Sequence, residues 1–164
     1  MKVLLNIVLF AAVALVLNSC SKQEIDPLLD NRADFSVSIT NATEFRPDPT
    51  VTTKLTDGNI QIVLSIPEKG RTIKEITKIA TSTTYAKIQS GSSTGWYVAT
   101  PIAASGTTYT YNTSLNEYFT KNPVSTSNPA AKVNTELALR FYFLVTLDDN
   151  TKLVTMPVRV LVLQ

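Results

Sequence analysis

The sequence predicts an all-β fold, an antiparallel β-sandwich of about seven strands. After residue 34 the chain is rich in Thr, Val, Ile and Tyr, which favour strands, and poor in runs of helical period. Gly, Pro, Ser and Asn interrupt it at short intervals, as turns between short strands require. Near the carboxyl end, apolar residues occupy every second position in two consecutive segments, the pattern of strands with one buried face.

The clearest predicted element is a hairpin made by residues 137–147 and 154–162. Asp149-Asn150 between them favours a two-residue turn. A shift of one residue would turn each apolar face away from its partner, so the pattern also predicts the register. The expected pairs are Phe141 with Val158, Phe143 with Met156 and Leu139 with Val160.

A second hairpin is predicted around Asp57-Gly58, a residue pair that favours a tight type I′ turn. The flanking segments alternate in the same way, and the turn would bring their apolar faces together. The expected pairs are Val51 with Leu64, Thr53 with Ile62 and Leu55 with Ile60.

Four further strands are predicted at 34–40, 72–81, 96–102 and 107–113, each bounded by Gly, Pro, Ser or Asn. Residues 114–119 predict one short helical turn that crosses between the sheets. This layout resembles immunoglobulin-like domains without their cysteine pair. The resemblance implies an immunoglobulin-like β-sandwich, but a fold of this kind carries no function by itself.

The amino terminus predicts an export signal. Lys2 is followed by the apolar run 3–17 and then by the small residue Ser19. The apolar run falls short of the ~20 residues that a membrane-spanning helix needs. The expected organisation is a signal peptide at 1–19, a polar tether at 20–33 and the β-sandwich domain at 34–164.

Cys20, the single cysteine of the chain, directly follows Leu17-Asn18-Ser19. This arrangement resembles the lipobox of bacterial lipoproteins, which implies that the Cys20 sulfur is acylated and that Cys20 becomes the first residue of the mature protein. The two or three acyl chains that such lipoproteins carry anchor a protein more durably than one chain does. The alternative is an ordinary signal peptide followed by an incidental cysteine.

The residues after Cys20 bear on localisation. Ser21 is similar to the outer-membrane sorting pattern of lipoproteins, and the Cys20-Ser21-Lys22 start with acids behind it is similar to surface lipoproteins of Bacteroidota. These resemblances imply an outer-membrane protein held by its lipid. Periplasmic and external orientations both remain open.

Composition argues against several function classes. Of the 15 basic residues Lys2 is lost with the signal, so 14 remain against 13 acidic ones, without the clustering that nucleic-acid binding would require. The chain has no histidine, which removes the commonest general base near neutral pH and most zinc sites. We therefore expect a protein that is not an enzyme and needs no cofactor or metal.

Two motif matches have ordinary explanations. Residues 91–95 fit the G-x-S-x-G pattern of hydrolase nucleophiles, but that site needs a histidine and a following helix. Asp148-Asp149 could contribute to a carboxylate pair or a calcium loop, but it lies in the predicted hairpin turn, where Asp is favoured. Both segments are interpreted as loops.

Four aromatic residues form a candidate ligand-binding group. Tyr109 and Tyr111 share one face of a predicted strand, and Trp96 and Tyr97 precede that strand. Exposed, they would offer a flat aromatic surface suited to a glycan. Buried, they would fill the core, since aromatic side chains bury large areas whether or not a ligand exists.

A second candidate group comes from the predicted register of the C-terminal hairpin. Arg140 and Arg159 should stand opposite one another on its outward face, where like charges are unfavourable unless something answers them. An acid such as Glu136 or Glu75 would make the pair structural. Without one, the arginines would form an open site for an anionic ligand or partner.

The predicted function is that of a lipid-anchored envelope protein acting as a non-catalytic binding module, whose ligand the sequence does not specify. One alternative is a structural or accessory subunit of an outer-membrane complex, docking through a sheet edge or through outward-facing Leu144, Leu161 and Leu163. Another is a glycan-binding surface lipoprotein, which needs the four aromatic residues exposed. The expected partners are the membrane, and a glycan or an envelope protein.

Overall fold

The computed structural model describes residues 35–92 and 95–164. The predicted signal peptide, Cys20 and the predicted tether lie outside the described residues. Strands make up 42% of the structure and helices 9%, which confirms the predicted all-β fold class.

Ten strands and two short helices follow one another along the described chain. The strands are β1 (Ser38–Ile39), β2 (Thr50–Lys54), β3 (Asn59–Ser65), β4 (Ile73–Ser82), β5 (Ile102–Ala103), β6 (Thr108–Ser114), β7 (Thr135–Glu136), β8 (Arg140–Leu147), β9 (Lys152–Val154) and β10 (Arg159–Leu163). The helices are α1 (Ala86–Gln89), between β4 and β5, and α2 (Leu115–Lys121), directly after β6.

The strands form three sheets. Sheet 1 has the order β1-β3-β6, sheet 2 the order β2-β10-β7, and sheet 3 the order β5-β4-β8-β9. The pair β2 and β10 is parallel, from Thr50 beside Arg159 to Lys54 beside Leu163, whereas the other pairs within these sheets are antiparallel. The parallel pair departs from the predicted antiparallel arrangement.

The C-terminal hairpin forms with a longer turn than predicted. Leu147 donates its backbone N–H to the carbonyl oxygen of Thr151 at 2.9 Å, which leaves the three residues 148–150 in the loop. The last of them, Asn150, has φ 67°, a left-handed conformation that Asn tolerates well. Three-residue loops with this ending are a common alternative to two-residue turns. As a result β8 and β9 pair one residue away from the predicted register, with Leu144 beside Val154.

The predicted register returns further along β8. Phe141 bridges Val158, as expected. Between these two regions Phe143 accepts a hydrogen bond from the backbone N–H of Thr155 at 3.0 Å, so the predicted pairing of Phe143 with Met156 is wrong. Met156 is 52% exposed. The segment 155–158 thus contains one residue more than the segment 141–143 that it faces, which is the pattern of a β-bulge. A β-bulge turns a side chain to the opposite face.

Beyond Val158 the chain leaves sheet 3 and continues as β10 in sheet 2. Leu137 donates its backbone N–H to the carbonyl oxygen of Val160 at 3.0 Å, so the predicted pairing of Leu139 with Val160 is also wrong. The last strand therefore joins two sheets, where a single long hairpin was expected.

The predicted hairpin around Asp57-Gly58 is wrong, although the turn exists. Gly58, at φ 65°, donates its backbone N–H to the carbonyl oxygen of Lys54 at 2.8 Å. On either side of the turn, however, β2 pairs with β10 and β3 pairs with β1 and β6. Alternation reports which face of a strand is buried and does not say which strand lies beside it. The actual neighbours in β6 are Thr113 for Ile60, Tyr111 for Ile62 and Tyr109 for Leu64, in place of Leu55, Thr53 and Val51.

The other predicted segments are present in part. The helical turn predicted at 114–119 is confirmed as α2, whose first N–H groups are capped by Ser114, which accepts from the Glu117 N–H at 3.1 Å. The segments at 72–81 and 107–113 form β4 and β6. The segment at 34–40 reduces to β1, and the one at 96–102 to a bridge between Val98 and Ile79 followed by β5. Helix α1 was not predicted.

The main core lies on the inner faces of the sheets. Its largest fully buried side chains include Tyr118, Phe141 and Phe143. A second, smaller cluster of Ala80, Ile88 and Tyr142 lies on the other face of sheet 3, beneath α1. We call this second surface the outer face of sheet 3.

Candidate binding surface

Two of the four candidate aromatic residues lie in the core. Tyr97 packs edge-on against Phe141, with ring centroids 5.1 Å apart, and Tyr111 packs in the same way against Phe143 at 5.6 Å. Burial raises the pKa of both hydroxyl groups well above the ordinary tyrosine value. Tyr109 is half-buried and also packs against the core.

A chain of hydrogen bonds holds Tyr97 in place. Its hydroxyl lies 2.6 Å from the Thr113 hydroxyl, which donates to a Glu117 carboxylate oxygen at 2.9 Å. Lys121 pairs with the same carboxylate at 2.7 Å and donates to the Tyr97 carbonyl oxygen at 2.8 Å. This series of hydrogen bonds therefore begins and ends at Tyr97, and it ties the 96–98 segment to β6 and α2.

Trp96 lies elsewhere, on the outer face of sheet 3. Its ring is covered by the Lys78 ammonium, which lies 4.0 Å from the ring centroid, a cation–π contact. The indole N–H is buried and has no hydrogen-bond partner within the described residues. The four aromatic residues are thus divided between the core and one outer face, and the described structure does not bring them together into one exposed surface.

Arg140 and Arg159 each form an ion pair with an acidic side chain. The bridge between Phe141 and Val158 makes the two arginines neighbours, as predicted. Arg140 pairs with Asp48 at 3.4 Å, and Arg159 forms an ion pair with Glu136. Of the two alternatives left open by the sequence, the structure supplies the internal acids.

One of these acids could have been found from the sequence and the other could not. Glu136, which the sequence suggested, lies near Arg140 along the chain but pairs with Arg159. Asp48 lies in the loop before β2, and only the tertiary structure brings it to Arg140. Glu75, the other acid considered, accepts a hydrogen bond from the Thr77 hydroxyl at 3.0 Å instead.

The outer face of sheet 3 carries exposed apolar side chains. Lys78, Leu144 and Val154 form a row across β4, β8 and β9, because Leu144 pairs with both of the others. Val154 is 40% exposed, and Met156 follows on the same side of the chain. Sequence reasoning placed Val154 and Met156 in the core. Pro157, which lacks a backbone N–H and disrupts a strand, was the signal that the alternation would change there.

Lysines outnumber carboxylates on the same face, where Glu75 lies beside Thr146 and accepts a hydrogen bond from Thr77. Lys78, Lys87 and Lys152 form no ion pair with a carboxylate in the part of the chain that the structure describes. Lys78 is buried and donates to the Ser90 carbonyl oxygen at 2.8 Å. Desolvation, and then the nearby charge of Lys152, lower the Lys78 pKa from its ordinary value. This surface therefore combines apolar contact area with lysines that form no ion pair within the described part of the chain.

A free sheet edge borders this surface. The residues whose backbone groups bond to β8 alternate along this edge. They run from Thr151 before β9, which accepts from Leu147, to Thr155 after it, which donates to Phe143. In an antiparallel ladder the residues between them point their N–H and C=O groups the other way. These are Lys152 and Val154, and no described strand pairs with β9 on that side.

The other sheets offer different surfaces. The outward side chains of sheet 1 are uncharged and, apart from Val63, polar, as in the contact of the Gln61 amide with Asn112 at 3.2 Å. Leu161 and Leu163 lie half-buried in sheet 2, whereas Leu144 belongs to sheet 3. The three leucines that the sequence suggested as one docking face are therefore split between two sheets.

Comparison with known proteins finds no match, whether to a protein-family profile, to a curated protein or to a solved structure. Among the described residues, no cluster of His, Cys, Asp and Glu is arranged to hold a metal ion. The helices of the described part are too short or too polar to span a membrane. The outer face of sheet 3, with the β9 edge beside it, is the candidate binding surface.

Proposed function

We propose that the chain is a lipid-anchored outer-membrane protein whose β-sandwich domain binds another macromolecule and performs no catalysis. The observation that supports the binding role is found on the outer face of sheet 3. Exposed Val154 and Met156 lie there with lysines that form no ion pair among the described residues. Exposed apolar side chains bordered by charge are typical of interaction sites.

The anchor is supported by the sequence. Cys20 follows an export signal in a lipobox-like context, and the chain has no second cysteine with which it could form a disulfide. A domain held at a membrane by a lipid meets other envelope components at high local concentration, so a modest surface can suffice for binding. A free sheet edge favours the form of this proposal in which the protein is an accessory subunit of an envelope complex.

The anchor is tested by mass spectrometry of the mature amino terminus of the full chain, isolated from membranes. We expect the mature protein to begin at Cys20 and to carry acyl chains. The matched variant Cys20→Ser should no longer be acylated and should leave the membrane fraction. A mature chain with an unmodified Cys20 thiol would contradict the anchor.

The binding role is tested by photo-cross-linking in the envelope. A benzoylphenylalanine residue replaces Met156 on the candidate surface in one chain and Asn112 on the outer face of sheet 1 in another. We expect discrete protein adducts from position 156 and none from position 112. Equal labelling at both positions, or none at 156, would show that this surface is not a binding site.

A further inference from the structure

We propose that the outer face of sheet 3 binds an extended acidic segment of a partner protein, which adds to the sheet as a strand beside β9. The inference rests on the proposed binding function and specifies its geometry and the chemistry of the partner. Three features of the structure carry it: the direction of the β9 backbone groups, the side chains next to them and the charge of the face.

The backbone of β9 is arranged to accept a further strand. Lys152 and Val154 each present one N–H and one C=O away from β8, and each of these groups needs a hydrogen-bond partner. Water supplies it when the edge is free, and an added strand supplies it in the mode known as β-augmentation. The edge is short and ends at Pro157, so the added segment pairs over only a few residues.

The side chains beside the edge select an amphipathic segment. Val154 points to the outer face next to Leu144. A residue of the added strand that faces Val154 would therefore lie beside these two apolar side chains. Lys152, two residues earlier, points to the same face beside Thr146. A segment with an apolar residue and an acidic residue two positions apart can contact Val154 and pair with Lys152 in one register.

Charge favours a different protein over a second copy. Two copies could pair their β9 edges antiparallel, with Leu153 of one opposite Leu153 of the other. Lys152 of both copies would then lie on the same side of the joined sheet, together with Lys78 of each. None of these lysines has a carboxylate partner among the described residues. Like charges gathered on one face oppose association, and Lys on an edge strand is a common protection against self-pairing. An acidic partner would be attracted by the same lysines.

The test uses the full mature chain in detergent. The probe is a fluorescent peptide in which Glu and Val alternate at every second position with Thr between them, and its control is the same peptide with Lys in place of Glu. We expect saturable binding of the Glu peptide only. Lys152→Glu should abolish it. Equal binding of both peptides, or undiminished binding to Lys152→Glu, would overturn the acidic partner.

The strand geometry is tested by Val154→Pro, which removes one outward N–H without removing a hydrogen bond to β8. It should weaken peptide binding about tenfold, since one backbone hydrogen bond to the added strand is lost. Val154→Thr keeps the N–H and the branched shape and should bind nearly as the parent does. Unfolding curves of all variants show whether the domain remains folded. If Val154→Pro does not fold, a Glu peptide N-methylated at the residue that would donate its N–H to β9 tests the strand geometry instead, and it should bind the parent chain about tenfold more weakly.

Cross-linking from position 156 separates this inference from the proposed function. Protein adducts that disappear in Val154→Pro support strand addition. Adducts that persist in Val154→Pro leave the binding role intact and overturn strand addition. Adducts between two copies, or to lipid alone, also overturn it, because they identify a different occupant.

Discussion

The Tyr97 hydroxyl lies 2.6 Å from the Thr113 hydroxyl, inside the domain and between two elements far apart in the sequence. Thr113 donates its single hydroxyl proton to the Glu117 carboxylate, so it accepts a hydrogen bond from the Tyr97 hydroxyl. A single threonine hydroxyl thus satisfies both a buried phenol and a carboxylate, and it holds the segment that carries Trp96 against β6.

Replacing Thr113 by Val removes this hydroxyl while keeping the branched shape. We expect the free energy of unfolding to fall by about 1–3 kcal/mol, because the Tyr97 hydroxyl then stays buried without its partner. Urea denaturation measures it. Thr110→Val, on the exposed face of the same strand, is the control and should change stability little. Equal effects of the two changes would show that the hydrogen-bond chain contributes nothing.

We expect Glu117 to make the free energy of unfolding decrease at acid pH. Its hydrogen bond from Lys121 is the main cause that lowers its pKa below the ordinary value of 4.5. A carboxylate whose pKa is lower in the folded state stabilises the fold above its unfolded pKa, and this contribution is lost as pH falls through the folded value. Since Glu117 is partly exposed, the effect should be modest and should shrink in salt.

The measurement is the urea midpoint at neutral pH and near pH 3, for the parent chain and for Glu117→Gln. We expect the parent to lose more stability than the variant over this interval. Glu44→Gln, at an exposed position, is the matched control. An identical acid response of the parent and Glu117→Gln would refute the role of this carboxylate.

Trp96 is the only tryptophan of the chain, so its fluorescence reports the charge of Lys78. The ammonium lies over the indole ring, and burial lowers its pKa from the ordinary value of 10.5. We expect the Trp96 emission of the folded protein to change on alkaline titration with a midpoint below that value. The change should be absent in Lys78→Met and retained in Lys54→Met. If it survives in Lys78→Met, another group is responsible.

Phe143 and Met156 test the register of the last hairpin. Phe143 is fully buried and Met156 is more than half exposed. Phe143→Ala should lower the free energy of unfolding by about 3–5 kcal/mol, because it leaves a cavity in the core. Met156→Ala should change it by less than about 0.5 kcal/mol, as is usual for surface positions. A large effect of Met156→Ala would return this residue to the core and restore the predicted pairing.

Much of the fold was predictable because it depends on local pattern. The alternation of β3 and β8 predicted which of their faces is buried, and the segment 114–119 predicted the helical turn that forms α2. The candidate surface was not predictable in the same way. Lys78 and Trp96 become a pair only because residues 96–98 return to β4, and Val154 becomes exposed only because the loop at 148–150 has three residues.

The sequence by itself determined the β-class of the domain, the buried faces of its main strands and the lipobox-like position of Cys20, because these follow from composition, periodicity and short motifs. Only the tertiary structure decided which strands are neighbours, and hence that β2 lies parallel to β10 instead of pairing with β3. It also decided that Arg140 meets Asp48 and that Lys78 forms no ion pair with any described carboxylate. Pairing between distant segments depends on how whole faces pack and on which charges meet across the fold, and neither is encoded in the neighbourhood of one residue.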